Sequence, residues 1–227
     1  MHIPDGFLST PVNCATAAVS LGCVAFALRQ TNRTLEEKQV PLLGVAGAFL
    51  FAAQMLNFPV AGGTSGHLLG ALLACLLLGP LPGTLVMGVV LGIQCLLFAD
   101  GGITALGSNF FNMAIVGGLG GMAVFSSLRA VLPGSRGGVL SAVGGAAWAS
   151  VLLGAAACAL ELALSGTAPL PVVLPAMLGV HAVIGAGEAL ITIAVVAAIL
   201  NTRPDLLPSG LLPKDGLAGK AAPAVAS

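Results

Sequence analysis

The chain has 227 residues, 57% of them hydrophobic and only 7% charged, with eight basic and eight acidic side chains and no net charge. Soluble domains carry roughly 25% charged residues, so water is excluded as the main environment, and the lack of any basic run excludes nucleic acid as a partner. Apolar segments recur along the whole length, at a mean hydropathy of +1.06. The expectation is therefore all-α: a polytopic membrane protein with one transmembrane domain over 1–203 and a poorly ordered cytosolic tail over 204–227.

Taken in chain order, the sequence opens on MHIPDGFLSTP. This start lacks a basic leader and a small-residue cleavage site, so the first apolar segment is expected to stay, with residues 1–9 ahead of it. Ser9 or Thr10 can cap the first helix, with Pro11 tolerated in its opening turn. Breaks at Gly, Pro and polar clusters predict helices over 11–28, 40–58, 66–79, 84–98, 109–131, 137–165 and 170–200. The segments 66–79 and 84–98, joined by GPLPG, are short for a ~30 Å hydrocarbon core. They read either as a short hairpin, which is preferred here, or as one bent span.

Charge placement sets the expected topology. Arg29, Arg33 and Lys38 follow the first helix, Arg129 and Arg136 lie between the fifth and sixth, and Arg203, Lys214 and Lys220 lie in the tail. The other connections carry no Lys or Arg, which puts the N-terminus outside, the C-terminus in the cytosol, and about seven spans between them. The five cysteines (Cys14, Cys23, Cys75, Cys95, Cys158) are scattered, without a C-x-x-C pair, and read as small packing residues.

Chemistry enters at the histidines. The topology brings His2 and His67, far apart in sequence, to the same outer face. Each histidine taken alone reads first as a local capping or hydrogen-bonding group. Position changes this for His2: an X-His terminus offers its amine, the deprotonated amide of residue 2 and a ring nitrogen as two fused chelate rings. A nitrogen of His67 would complete a square-planar set, the geometry favoured by Ni(II) and Cu(II). Asp5 is a candidate partner behind these donors. A polar cluster of Gln54, Asn57, Thr64, Ser65, Gln94, Thr104, Ser108, Asn109 and Asn112 could line a pocket around them.

Deeper in the chain, Glu161 lies near the outer end of the sixth helix, where it could snorkel. His181 and Glu188 share one face of the seventh. Intramembrane ionisable groups are costly; these three read either as polar ties between helices or as a proton relay. Asp100 falls in an outer loop and reads as solvated. No G-x-x-x-x-G-K-[ST] pattern occurs, since Gly219-Lys220 is followed by Ala221, so ATP hydrolysis by this chain is not expected.

Four stretches, MHIPDGFLS at 1–9, QMLNFPVAGGTSGHLLG at 54–70, GGITALGSNFFNMAIVG at 101–117 and HAVIGAGEALIT at 181–192, resemble the substrate-capturing membrane subunit of cobalt/nickel energy-coupling factor transporters, the CbiM/NikM family. The resemblance spans roughly 1–203. It implies a seven-helix subunit whose N-terminal loop inserts into its outer face, where the Met1 amine, the His2 amide and imidazole and a His67 ring nitrogen hold the metal. It also implies a separate transmembrane coupling subunit, a pair of cytosolic ATPases and, in some systems, a small accessory membrane protein.

The function expected is capture and uptake of Ni(II) or Co(II) across a prokaryotic inner membrane, with the metal as substrate, no cofactor, and ATP hydrolysis on partner subunits. The rival reading is a stand-alone proton-coupled metal transporter or channel through His181 and Glu188. An intramembrane enzyme built on Glu161, His181 and Glu188 is disfavoured, because no nucleophile or metalloprotease motif accompanies them.

Overall fold

The computed structural model describes residues 1–35, 37–56, 58–60 and 64–214. The first helix, α1 (Thr10–Thr34), opens on Pro11 and buries only Thr16, Ser20, Ala27 and Thr31, a single stripe at helical spacing. Its apolar side chains, such as Leu21 and Phe26, point outward. This inverted pattern is what a lipid-facing helix requires: hydrocarbon outside, polar hydroxyls inside. Thr16 Oγ1 pairs with Ser108 Oγ at 2.6 Å, and Ser20 Oγ donates to the Gly107 carbonyl at 2.7 Å.

After α2 (Val40–Gln54) the chain forms a two-stranded antiparallel hairpin, β1 (Phe58–Val60) and β2 (Thr64–Gly66). It then runs irregularly to Gly70 and enters α3 (Ala71–Leu78). Here the expected helix over 66–79 is corrected: residues 64–70 are not helical, and α3 has eight residues, about 12 Å. The physical reason lies at Gly70, whose φ of +69° is left-handed and breaks the helical path. Helix α4 (Pro80–Phe98) turns back at once from Gly79, as the hairpin reading expected.

The last three helices are α5 (Leu106–Val131), α6 (Arg136–Leu164) and α7 (Leu170–Thr202). Residues Phe111–Leu119 of α5 are wound as a π-helix, an insertion common at functional sites. The buried residues of α7 (Val173, Met177, His181, Gly185, Glu188, Thr192, Val196) recur every three or four positions and pack chiefly on α6. Helices α1, α4, α5, α6 and α7 are long and apolar enough to cross a membrane, and α2 is shorter at 15 residues. The protein is an all-helical, multi-pass membrane protein apart from the small hairpin.

The basic connections gather at one end. Arg136 Nη1 donates to Asn201 Oδ1 at 2.6 Å, the Lys214 amide donates to the Gly134 carbonyl at 2.9 Å, and Leu35 and Gln39 share a cavity with Leu78, Arg203 and Asp205. The tail expected to be poorly ordered from 204 is ordered through 214. It makes two 3-10 turns, Pro204–Leu206 and Ser209–Leu211, because Leu207 and Leu211 are apolar enough to bury against the bundle. The remainder of the tail, with Lys220, lies outside the described residues.

Candidate metal site

The N-terminus is folded inward. Met1 and Ile3 are fully buried and His2 is 3% exposed. A charged amine does not tolerate this easily, and burial lowers the Met1 amine from 8.0 to about 5, so it is neutral at pH 7. A neutral amine is a lone-pair donor ready for a cation.

Backbone clasps hold the segment. Asn109 Oδ1 accepts from the Ile3 amide at 2.7 Å while its Nδ2 donates to the Ile3 carbonyl at 3.1 Å. The Gly102 amide donates to the same carbonyl at 2.8 Å. Asp5 accepts from the Ile103 amide and from the Thr104 amide and hydroxyl, at 3.1, 2.7 and 2.5 Å. The Thr104 hydroxyl is the main cause of its lowered carboxyl pKa. Thr167 Oγ1 donates to the Phe7 carbonyl. Gly102 is required here: a Cβ would sit 2.5 Å from Asp5 Oδ1, 2.7 Å from the Pro4 carbonyl carbon, and closer still to the Asp5 amide nitrogen.

Against this segment lies His67. The His2 and His67 rings stack with centroids 4.7 Å apart and planes inclined by 17°. His67 is 1% exposed. Its Nδ1 lies 2.7 Å from the Leu68 carbonyl, which can only accept, so Nδ1 carries the hydrogen and Nε2 presents its lone pair. That Nε2 is buried with no hydrogen-bond partner. Burial lowers the His67 pKa well below the ordinary imidazole value, with the nearby amine and His2 adding to the effect. Burial also lowers that of His2, opposed by Asp100, whose Oδ1 lies 3.1 Å from His2 Nδ1.

Chemically, the cluster is a set of neutral nitrogens. In an X-His chelate the ring nitrogen that closes the six-membered ring is Nδ1, one bond from Cγ. Among the described residues no three His, Cys, Asp or Glu side chains group to hold a metal by themselves. A site here has to draw on the amine and the backbone amide. Nitrogen donors of this kind suit Ni(II), Cu(II) and Co(II) and disfavour oxygen-seeking Mg(II) and Ca(II).

The remaining expected residues divide. Asn109 and Asp5 support the segment. Ser108, expected to line the pocket, turns instead to α1, because adjacent residues on a helix point about 100° apart. Asn57 and the side chains of Thr64 and Ser65 lie outside the described part. Glu161 does not snorkel: it is 5% exposed and its Oε2 accepts from Asn112 Nδ2 at 2.7 Å, tying α6 to the π-helical stretch of α5. His181 donates Nδ1–H to the Met177 carbonyl of its own helix at 2.7 Å, its Nε2 being buried without a partner.

Glu188 bonds neither to α6 nor to His181. Its Oε2 and Oε1 accept from the Leu69 and Gly70 amides, each at 2.6 Å. Gln54 Nε2 donates to the Leu69 carbonyl at 2.5 Å, and Gln94 Nε2 donates to Gln54 Oε1 at 3.0 Å. Two features escaped the sequence reading, the approach of Asp100 to His2 and the role of Glu188. The one local signal for the second is an acid in mid-helix facing a glycine-broken loop.

A multi-pass helical membrane protein with a buried N-terminal nitrogen cluster is the class that fold and site define. Within it, the family described as "cobalt uptake substrate-specific transmembrane region" matches residues 2–206, and the chain belongs to this family, CbiM. It is 38% identical over 223 residues to the fused nickel transport protein NikMN of Rhodobacter capsulatus, covering 91% of this chain and 64% of that protein. It is 40% identical over 132 residues to cobalt transport protein CbiM 2 of Pelobacter propionicus, covering 57% of this chain and 58% of that one. A crystal structure of a truncated transition metal transporter superposes with a TM-score of 0.81 at 34% identity, over 88% of this chain and 99% of that one.

Proposed function

We propose that this chain captures Ni(II) or Co(II) at its outer face and serves as the substrate-specific subunit of an ATP-driven importer. The Met1 amine, the His2 amide and Nδ1, and His67 Nε2 are the donors. The carrying observation is the burial of Met1–Ile3 against His67, with the two imidazoles stacked at 4.7 Å. The nickel and cobalt transport proteins among its relatives support the substrate class. Gathering of the basic connections at the end away from the site supports an outer N-terminus and a cytosolic C-terminus in a prokaryotic inner membrane. A membrane coupling subunit and cytosolic ATPases supply the energy, with a small accessory membrane protein as a further partner. Both Glu188 oxygens are engaged by backbone amides, which weighs against a stand-alone proton path through that residue.

The test is titration of the purified full-length protein with Ni(II) and Co(II), repeated with one alanine inserted between Met1 and His2. Insertion separates the amine from the histidine amide and destroys the fused chelate, so affinity and absorption spectrum change together. An inserted variant that keeps both sinks the proposal. Reconstituted uptake with and without ATPase partners tests the coupling, since transport driven by a proton gradient alone contradicts it.

A further inference from the structure

The irregular stretch between β2 and α3 is buried in the protein, with His67 and Leu69 at 1% and 0% exposure. Backbone amides there have no water to bond, and such backbone persists only where protein groups satisfy it. Two successive peptide units are satisfied by side chains, Glu188 and Gln54 from other helices and His67 from the stretch itself. The Leu68–Leu69 peptide donates its N–H to Glu188 Oε2, while its carbonyl receives Nδ1–H from the His67 ring. The Leu69–Gly70 peptide donates its N–H to Glu188 Oε1, while its carbonyl receives the Gln54 amide, which Gln94 orients in turn.

A peptide unit is planar and stiff. Fixing the N–H of the Leu68–Leu69 unit therefore fixes the direction of its carbonyl, and that carbonyl sets the tautomer and the rotation of the His67 ring. We infer that Glu188, with Gln54 on the opposite side, is a positioning residue for His67 and sets where the fourth nitrogen of the metal site points. This rests on the metal-capture reading above. It assigns Glu188 a task that neither a helix–helix tie nor a proton relay describes. Groups behind a metal-binding histidine typically alter affinity by about 10- to 100-fold when removed. A fixed fourth nitrogen also favours ions that accept a planar set, so the clasp bears on metal choice as well as affinity.

The experiment is a double-mutant cycle between Glu188→Ala and His67→Ala in the full-length protein in lipid nanodiscs, titrated with Ni(II) and followed by electronic absorption. Glu188→Ala is expected to weaken Ni(II) binding by about 10- to 100-fold and to move the absorption spectrum to that of His67→Ala. In the His67→Ala background it is expected to change affinity and spectrum no further, because the ring it orients is gone. An equal loss in both backgrounds marks a general structural role and overturns the inference, as does wild-type affinity and spectrum in Glu188→Ala.

If Glu188→Ala does not give folded protein, Gln54→Leu loosens the same pair of peptides from the other side and carries the same expectations. The two readings fail differently. Wild-type protein that binds no Ni(II), or His67→Ala that binds as tightly as wild type, defeats the capture reading. Weak His67→Ala beside an unaffected Glu188→Ala defeats the positioning role alone.

Discussion

Replacing Gly102 by alanine perturbs the site without touching any proposed donor. The added methyl would stand 2.5 Å from Asp5 Oδ1 and 2.7 Å from the Pro4 carbonyl carbon. Ordinary carbon contacts begin near 3.5 Å, so the N-terminal segment has to withdraw by about 1 Å. Three hydrogen bonds converge on Ile3, at 2.7, 3.1 and 2.8 Å, and a shift of that size takes each outside bonding range. At about 1 kcal/mol for each net bond the docked segment loses about 3 kcal/mol. That corresponds to roughly 100-fold weaker Ni(II) binding, at tenfold per 1.4 kcal/mol. Isothermal titration of the folded variant reads this directly. Gly179→Ala serves as the control, since a methyl there meets nothing within 4 Å. If Gly102→Ala binds Ni(II) within about threefold of the control, docking of residues 1–5 is not what builds the site.

Two further outcomes follow from the same geometry. The docked Met1 amine titrates at about 5 rather than 8.0 because burial penalises its charged form. Above pH 8 neither the docked nor the free segment holds that proton. As pH falls from 8 toward 5 only the free form takes it up, so docking weakens across that window. At pH 7 Ni(II) should then release about one proton, from the His2 amide, and titration in buffers of different ionisation enthalpy counts it; release of two contradicts a neutral docked amine. Asn112→Ala removes the buried link between the π-helical stretch of α5 and Glu161. It should cost about 1–3 kcal/mol, seen as a lower thermal midpoint, and an unchanged midpoint would show that the pair is energetically idle.

Much of the architecture was legible because lipid imposes a simple grammar. Apolar runs broken at Gly and Pro located α1, α4, α5, α6 and α7, and the connections carrying Arg136, Arg203 and Lys214 lie together as the charge pattern expected. The proposed N-terminal donors could be nominated from the sequence because a terminal X-His chelate is local chemistry, needing only adjacent residues. The start of the third helix also escaped. Mean hydropathy cannot distinguish a helix over 66–70 from irregular backbone whose amides are satisfied by residues more than a hundred positions away. Ser108 and Asn109 illustrate the same limit at one-residue scale: both are polar and adjacent, yet one meets α1 and the other the N-terminal segment.

Composition and residue order alone were enough to show that the chain lives in lipid and where most of its helices run, and to nominate its first two residues as metal donors. Those properties depend on composition and on neighbouring atoms. Tertiary structure decided that Met1–Ile3 is buried, that His67 meets His2 face to face, and that Asn109, Gly102, Gln54 and Glu188 hold the two pieces in place. The reason is distance along the chain: each of these contacts joins segments that no local preference brings together, and only packing the helices in one arrangement satisfies the buried backbone between them.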